Sequence, residues 1–216
     1  MVSKDTKGRI VKAAVRLFNE SGTAAVSTNH IAEAAGISPG NLYYHFRNKE
    51  EIIREILRRM ILSWGEVWVL PPDRPPGLGG LRTMLDKNVA LQWEYRFFYR
   101  EILALMRRDP ELGRQHQTIQ RERLGEQELF FRSFIEAGIM REPEDPAVLP
   151  ALVKAAWIIS NGWLSFLEGG GEPVEPASMS QGTDVLVQIF RPYLTEEALR
   201  ELSSPQVGGQ EHQRSI

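Results

Sequence analysis

The sequence predicts an all-α protein in which a compact three-helix head precedes a larger helical-bundle body. Apolar residues recur at helical spacing along nearly all of the 216 residues, and no stretch alternates with period two for long enough to form a convincing strand. Glycine and proline interrupt this pattern at positions where helices are expected to end. These observations favour helices joined by short turns.

Local signals divide the first 48 residues into three helices. They are expected over residues 6–21, over 27–35 and from 38 onwards. Gly22 ends the first of them, and Gly36 breaks the chain after the second. Ser27 is the candidate N-cap of the second helix. Pro39 stands at the first position of the third, where its missing N–H costs nothing.

The helices of the body are longer. Asn48 is the candidate cap of the fourth, with Glu51 three residues on as a variant of the capping box, and a Pro/Gly-rich loop over residues 71–80 ends this helix. Four long helices are then expected over residues 81–108, 110–137, 146–167 and 178–194, and a short one over 196–202. The expected domains are a head at 1–48, a body at 49–203 and a polar, disordered tail at 204–216.

Composition excludes several classes of function. The chain has no cysteine, which rules out disulfides and cysteine nucleophiles and fits a reducing cytoplasm. No two of its four histidines stand at a metal-ligand spacing, and no catalytic triad, carboxylate pair or phosphate loop can be assembled. We therefore expect no enzyme, metal or cofactor. Without a leader or a long apolar run, we expect neither secretion nor a membrane span.

The net charge of −2 hides an asymmetry along the chain. Residues 1–49 carry seven basic and three acidic side chains, a net charge of +4, whereas the rest carries 19 basic and 25 acidic ones, a net charge of −6. A basic head on an acidic body indicates an anionic partner for the head. A chance fluctuation on a solvated surface would give the same numbers, so charge alone does not decide between them.

Residues 27–49 have the pattern of a helix-turn-helix, in which two short helices are joined by a glycine-bearing turn. In the third helix Leu42 and Phe46 are four residues apart and share the buried side. The opposite side and its flanks carry Gly40, Asn41, Tyr43, Tyr44 and His45. A helix that enters the major groove needs this division, with base-reading side chains on its far side and phosphate contacts on its flanks.

These features give residues 6–57 a specific resemblance to the DNA-binding domain of the tetracycline-repressor (TetR) family. The resemblance is carried by the apolar first helix and by Gly22, Ser27-Thr28, Ile31-Ala32, Ala35-Gly36-Ile37-Ser38, Gly40, Leu42-Tyr43-Tyr44-His45-Phe46 and Lys49. It implies an all-α homodimer whose body binds a small-molecule effector and then releases DNA.

The same resemblance implies roles for individual side chains of the head. The implied phosphate contacts are Thr28, Tyr43, His45 and Lys49. The implied base contacts are Asn29, Pro39, Asn41 and Tyr44. Ser38 and Gly40 complete the predicted DNA-binding set, because Gly40 leaves room for close approach to the duplex.

Aromatic residues are concentrated in the body, where they form either the core of a helical bundle or the wall of a ligand pocket. The candidate effector-binding residues are Trp64, Trp68, Trp93, Phe97, Phe130, Phe134 and Trp157. A negative group on an apolar effector would be met by Arg96, Arg100 or Arg132, although a solvated charged face explains these three arginines equally well.

The helices expected at 146–167 and 178–194 form the predicted dimer surface. They carry more apolar residues than one buried face needs, and small residues such as Ala156 and Gly162 allow a second helix to approach closely. The TetR resemblance implies the same interface, made by the last two long helices.

The sequence thus predicts a sequence-specific DNA-binding transcriptional regulator. We expect a repressor that leaves double-stranded operator DNA when it binds a small apolar effector. Two alternatives remain open, namely a helical-bundle enzyme or carrier with an accessory DNA-binding head, and a DNA-binding dimer without an effector.

Overall fold

The computed structural model describes residues 5–68 and 76–203, and within these ranges the chain forms α-helices and no strand. The helices are α1 (Thr6–Ala25), α2 (Thr28–Ala34), α3 (Pro39–His45), α4 (Lys49–Val67), α5 (Leu78–Glu94), α6 (Arg96–Arg108), α7 (Pro110–Glu136), α8 (Val148–Gly169), α9 (Pro176–Phe190) and α10 (Glu196–Ser203), with a short 3-10 helix (Arg191–Tyr193) before α10. The predicted all-α fold is confirmed. The tail predicted at 204–216 and residues 71–75 of the predicted loop lie outside the described residues.

Side-chain caps fix the starts of α2, α3 and α4. The side chains of Ser27, Ser38 and Asn48 accept hydrogen bonds from the backbone N–H groups of His30, Asn41 and Glu51, respectively. Each cap satisfies an N–H group that the first helical turn leaves free. The predicted capping box at α4 is only half formed, because the Glu51 carboxylate accepts from the backbone N–H of Arg47 and not from that of Asn48.

Gly22 kinks α1 instead of ending it. Its φ of 74° and ψ of 159° lie outside the helical range, yet the helix extends to Ala25. The body stabilises the turn after the kink. The Glu101 carboxylate of α6 accepts hydrogen bonds from the backbone N–H and the hydroxyl of Thr23 at 2.9 and 2.5 Å.

The start of α5 differs from the prediction. The loop expected to reach residue 80 gives way to helix at Leu78, so that Gly79 and Gly80 are helical. Both glycines disfavour a helix locally. Leu78 is buried in the apolar core of the body, as is Met84 one and a half turns later, and this tertiary packing outweighs the local preference.

The single helix predicted over residues 81–108 is wrong, because the chain breaks at Tyr95 into α5 and α6. The Asn19 side chain of α1 occupies the break. Its amide nitrogen donates to the carbonyl of Glu94 at 2.7 Å, and its oxygen accepts from the N–H of Phe97 at 3.0 Å. A side chain from the head therefore replaces hydrogen bonds that a continuous helix would have made itself.

One apolar cluster, called the shared core below, runs from the head into the body. It contains head residues such as Ile10, Phe18 and Leu42 together with Phe97 and Phe98 of α6. The rings of Phe18 and Phe97 lie 5.1 Å apart between centroids. The three-helix head is therefore packed against α6 through apolar contacts as well as through Asn19.

A second apolar cluster, the distal core, fills the far end of the body. Its centre is formed by Phe130, Phe131 and Phe134 of α7 with Phe190 of α9. The rings of Phe131 and Phe190 are stacked at 4.2 Å. Helices α8 and α9 pack together beside it, where Gly182 leaves only enough room for the indole of Trp163.

Two sets of ion pairs connect α4 to its neighbours. Arg54 pairs with Asp109 and Glu111 at the start of α7, with N–O distances of 3.1 and 2.9 Å. On the next residue of α4, the buried Glu55 carboxylate pairs with Lys7 of α1 and with two arginines of its own helix, Arg58 and Arg59. Burial alone would raise the pKa of Glu55, but these hydrogen bonds and charges lower it to about 2.

Replacing Glu55 with glutamine should make folding less stable in a pH-dependent way. The pKa of about 2 in the folded chain lies below the ordinary value of 4.5, so the ionised carboxylate stabilises the fold above about pH 4.5 and loses this effect as the pH falls towards 2. We expect Glu55→Gln to cost about 1.5–3 kcal/mol at pH 7, as charged hydrogen bonds do. Thermal unfolding followed by circular dichroism from pH 7 to pH 3 measures it.

The matched control is Glu20→Gln. The Glu20 carboxylate pairs with Arg16 on the exposed surface of α1, where ion pairs contribute little. Its melting temperature should follow that of the wild type at every pH. A Glu55→Gln deficit that does not shrink on acidification would contradict the assignment.

Candidate nucleic-acid interface and ligand cavity

Helix α3 has one buried and one exposed side. Leu42 and Phe46 are buried, as predicted, whereas Tyr44 is 85% exposed. Next to it Gly40 faces open space, since a Cβ placed there would meet no atom within 4 Å. Helix α3 therefore presents a protruding aromatic side chain and a bare stretch of backbone on its outer side, and a duplex could approach both.

The turn between α2 and α3 is held by a side chain from α1. Gly36 adopts a φ of 65°, which few residues other than glycine tolerate. The Arg9 guanidinium donates hydrogen bonds to the carbonyls of Ala35 and Gly36. Sequence patterns do not reveal this contact, because 26 residues separate Arg9 from Ala35.

Two of the predicted phosphate contacts bind each other. The hydroxyls of Thr28 on α2 and Tyr43 on α3 are hydrogen bonded at 2.9 Å, and the Tyr43 side chain is half exposed. The His45 ring lies edge-on to Tyr44 with centroids 5.2 Å apart. Helices α2 and α3 thus place these side chains of Thr28, Tyr43, Tyr44 and His45 on one surface.

The remaining predicted DNA contacts lie around the same surface. Asn29, Ser38 and Pro39 are exposed, and Asn41 is partly exposed. Lys49 differs, because its ammonium group is partly buried and donates to the carbonyls of Thr23 and Val26 at 2.5 and 2.8 Å. Burial, and then the nearby Arg108, lower the pKa of Lys49. Lys49 therefore ties α4 to the end of α1, a role that its position in the sequence does not indicate.

Arg47 is an exposed cation outside the predicted DNA-binding set. It follows α3 directly and its side chain is 89% exposed, with a long ion pair of 3.9 Å to Glu51. An exposed arginine directly after α3 has the side-chain chemistry that phosphate contacts use. The basic run Arg47-Asn48-Lys49 was the available signal.

The body contains a cavity of about 610 Å³ between α5, α7, α8 and α9. This volume is within the usual range for sites that take small organic molecules. Its apolar wall includes Leu81, Leu85, Phe131, Ala156 and Phe190. Within the described part of the chain, its charged side chains are Arg82, Asp184 and Glu201, so acidic groups outnumber basic ones there.

The seven predicted effector-binding residues do not form one wall. Trp68 lines the large cavity, and Trp64, Trp68 and Trp157 line a smaller one beside it. Phe130 lies 5.5 Å from Trp68 between ring centroids and is packed on Phe134 in the distal core. Trp93 and Phe97 pack with the shared core, away from both cavities. The aromatic side chain that α6 contributes to a cavity wall is Tyr99, which lines the smaller cavity.

None of the three arginines considered for an acidic effector lines either cavity. Arg96 stacks on Trp93 at 4.5 Å, Arg100 pairs with Glu168, and Arg132 pairs with Glu128. The solvated-surface interpretation therefore describes them better.

The described residues contain no helix both long and apolar enough to cross a membrane. In the same ranges of the chain, no group of three His, Asp or Glu side chains is placed to hold a metal ion.

Comparisons with known proteins agree with the fold. The family model described as "Bacterial regulatory proteins, tetR family" matches residues 10–56, and the TetR model described as "Bacterial transcriptional repressor" matches residues 65–202. The crystal structure of a TetR-family transcriptional regulator from Marinobacter aquaeolei VT8 is similar with a TM-score of 0.81 and 32% identity, covering 94% of this chain and 100% of the other.

Curated relatives match over shorter segments. The HTH-type transcriptional regulator AcrR of Shigella flexneri is 33% identical over 85 residues, which are 38% of this chain and 40% of the relative. The HTH-type transcriptional repressor KstR2 of Mycobacterium tuberculosis is 41% identical over 58 residues, 27% of this chain and 28% of the relative. The matches thus span well under half the length of these curated relatives.

Replacing Lys49 with methionine should destabilise the head. The carbonyls of Thr23 and Val26 would lose a charged donor, at a cost of about 1–3 kcal/mol in the free energy of unfolding. Urea unfolding followed by circular dichroism measures the change. The control Arg47→Met removes an exposed cation from the same segment and should leave the urea midpoint unchanged. Equal midpoints for the two variants would show that the Lys49 ammonium does not hold the fold.

Proposed function

The chain belongs to the TetR family of bacterial transcriptional regulators, and from this premise we propose that it binds operator DNA as a homodimer and leaves it when a small molecule occupies the cavity of the body. The observation that carries the DNA-binding half is the division of α3 into a buried side and an open one. Tyr44 projects from the open side of a short helix whose start is capped and whose inner side is locked in the shared core.

We assign the side chains of this surface by their position. Asn29, Asn41 and Tyr44 lie toward the bases, with Pro39 and Gly40 allowing close approach. The hydroxyl pair Thr28–Tyr43 and the exposed Arg47 lie toward the phosphates, because hydroxyl and guanidinium groups are good phosphate donors. Such contacts position the protein, whereas the base contacts supply sequence preference.

The dimer half of the proposal is supported by an exposed apolar surface on α8 and α9. Ile158 and Phe166 are each 63% exposed, and Val185 of α9 is also exposed. Exposed apolar side chains concentrated on adjoining helices mark interaction surfaces. A dimer would also pair two recognition helices with the two halves of a palindromic operator, since two-fold symmetry requires it.

Helix α4 supports a connection between cavity and head. It begins at Lys49, which holds the end of α1, and its C-cap Trp68 lines the large cavity. A ligand that favours one position of this helix would change the separation of the two recognition helices. A preference of about 1–3 kcal/mol would change operator affinity about 5- to 150-fold.

Substitutions in the head should separate base reading from phosphate contact. We expect Tyr44→Ala to weaken binding to the operator by about 1–3 kcal/mol more than binding to random duplex. Arg47→Ala should weaken both and reduce the slope of log affinity against log salt by about one. Fluorescence anisotropy with a duplex selected from a random library measures both effects over a salt series.

The body variant Arg132→Ala is the charge control, because it removes an arginine far from α3 in the chain that pairs with Glu128. Its salt slope should match the wild type. If Tyr44→Ala bound the operator as tightly as the wild type, Tyr44 would not be a base contact.

A charge on the exposed face of α8 should prevent dimerisation. Phe166→Asp or Ile158→Asp would place a carboxylate in an apolar contact without disturbing the fold of one chain, since both side chains are mostly exposed. Trp163 and Ile189 are less suitable, because both are partly buried within the chain. Sedimentation velocity should show monomers for the α8 variants. Leu103→Asp on α6, equally exposed, should remain dimeric. Dimers in all three would place the interface elsewhere.

A further inference from the structure

A small second cavity of about 30 Å³ lies beside the large one. The two cavities share Trp68, Gln127 and Ser160 in their walls. The small cavity has room for about one water molecule or one hydroxyl group. The two cavities are therefore neighbours, separated at most by these three side chains.

Asn88 of α5 lines this small cavity and is only 8% exposed. Among the residues that the structure describes, none forms a hydrogen bond with its side-chain amide. The neighbouring amides are partnered, because Gln92 donates to the carbonyl of Ser160 at 3.0 Å and Asn161 donates to that of Trp157 at 2.8 Å. The Asn88 amide is thus free of protein hydrogen bonds in a mostly buried wall, and a polar ligand group in the small cavity would supply the partner that it lacks.

The charges around both cavities disfavour an anionic ligand. The only cation of the small cavity's described lining is Arg123, which already pairs with Glu126 at 2.6 Å and donates to the carbonyl of Ile61. The Tyr99 hydroxyl in the same wall stays protonated, because burial raises the pKa of Tyr99 far above its usual range. Among the described residues of the large cavity's wall, Asp184 and Glu201 are acidic and Arg82 alone is basic.

We propose that the effector is an uncharged amphipathic molecule whose hydroxyl group binds the Asn88 amide while its apolar body fills the large cavity. A hydroxyl both donates and accepts, as the amide does, and it fits the small volume. A carboxylate is too large for the small cavity and would need a free cation there. This inference rests on the proposed function of the body as the effector site.

Three probes of equal chain length test the assignment, namely decan-1-ol, decanoate and decylamine. Trp64, Trp68 and Trp157 line the small cavity, so tryptophan fluorescence of the full chain reports occupancy. We expect the wild type to bind decan-1-ol about tenfold more tightly than either charged probe. Neither charged probe would form the hydrogen bond with Asn88, and the loss of one hydrogen bond weakens binding by about this factor.

The nearly isosteric variant Asn88→Leu should bind decan-1-ol about tenfold more weakly and reduce the preference over decanoate. It should also melt about 2–4 °C higher than wild type, because it removes an unpartnered buried amide. The matched control is Asn161→Leu, which removes a partnered amide from the same cavity. It should melt at a lower temperature and keep the preference for the alcohol.

Several outcomes would overturn the assignment. These are equal binding of the three probes, no binding of any of them, a preference that survives Asn88→Leu, or a lower melting temperature in that variant. Anisotropy of a labelled operator duplex, measured in parallel, tests the proposed function separately. Asn88-dependent alcohol binding without operator release would support the assignment and contradict release by the effector. Operator release by all three probes alike would support release by the effector and contradict the assignment of Asn88.

Discussion

The side chain of Asn19 lies where α5 ends and α6 begins, and it satisfies one carbonyl and one N–H group that a continuous helix would have paired. Both hydrogen bonds at this break are made by one side chain of the head, which donates to the carbonyl of Glu94 and accepts from the N–H of Phe97. Around them, Phe18 packs on Phe97, and Glu101 holds the turn after Gly22. The position of the head relative to the body is therefore set by α1 against α6, with both polar and apolar contacts.

Two helices connect the cavity walls with the end of α1 beside the predicted DNA-binding surface. One is α4, held by Arg54 and Glu55 along its length and by Lys49 at its start. The other is α6, which carries Glu101 opposite Thr23. Both helices meet at the end of α1, since Lys49 and Glu101 bind the same residue from two sides. Helices α4 and α6 therefore contact the same turn, which directly precedes α2.

Features that depend on neighbours in the chain could be predicted, and those that depend on distant contacts could not. The caps Ser27, Ser38 and Asn48, and the buried pair Leu42–Phe46, follow from local spacing. The Arg9 and Asn19 contacts join residues 26 or more positions apart, and no periodicity marks them. Trp93 and Phe97, which aromatic density predicts for the effector pocket, pack with the shared core, because which helices face each other depends on distant contacts. Leu81 and Leu85 of α5 line the large cavity instead.

The shared core also limits how regulators of this kind can be recombined. A boundary drawn after residue 48 cuts between Phe18 and Phe97, and it separates Asn19 from the two peptide groups that it completes. A chimera that takes its head from one relative and its body from another would expose an apolar face and leave a broken helix uncapped. In a chimera that combines the head of one protein with the body of another, the surface of α6 that contacts α1 must therefore come from the same protein as α1. The two contacting surfaces have to be exchanged together, although they are far apart in the sequence.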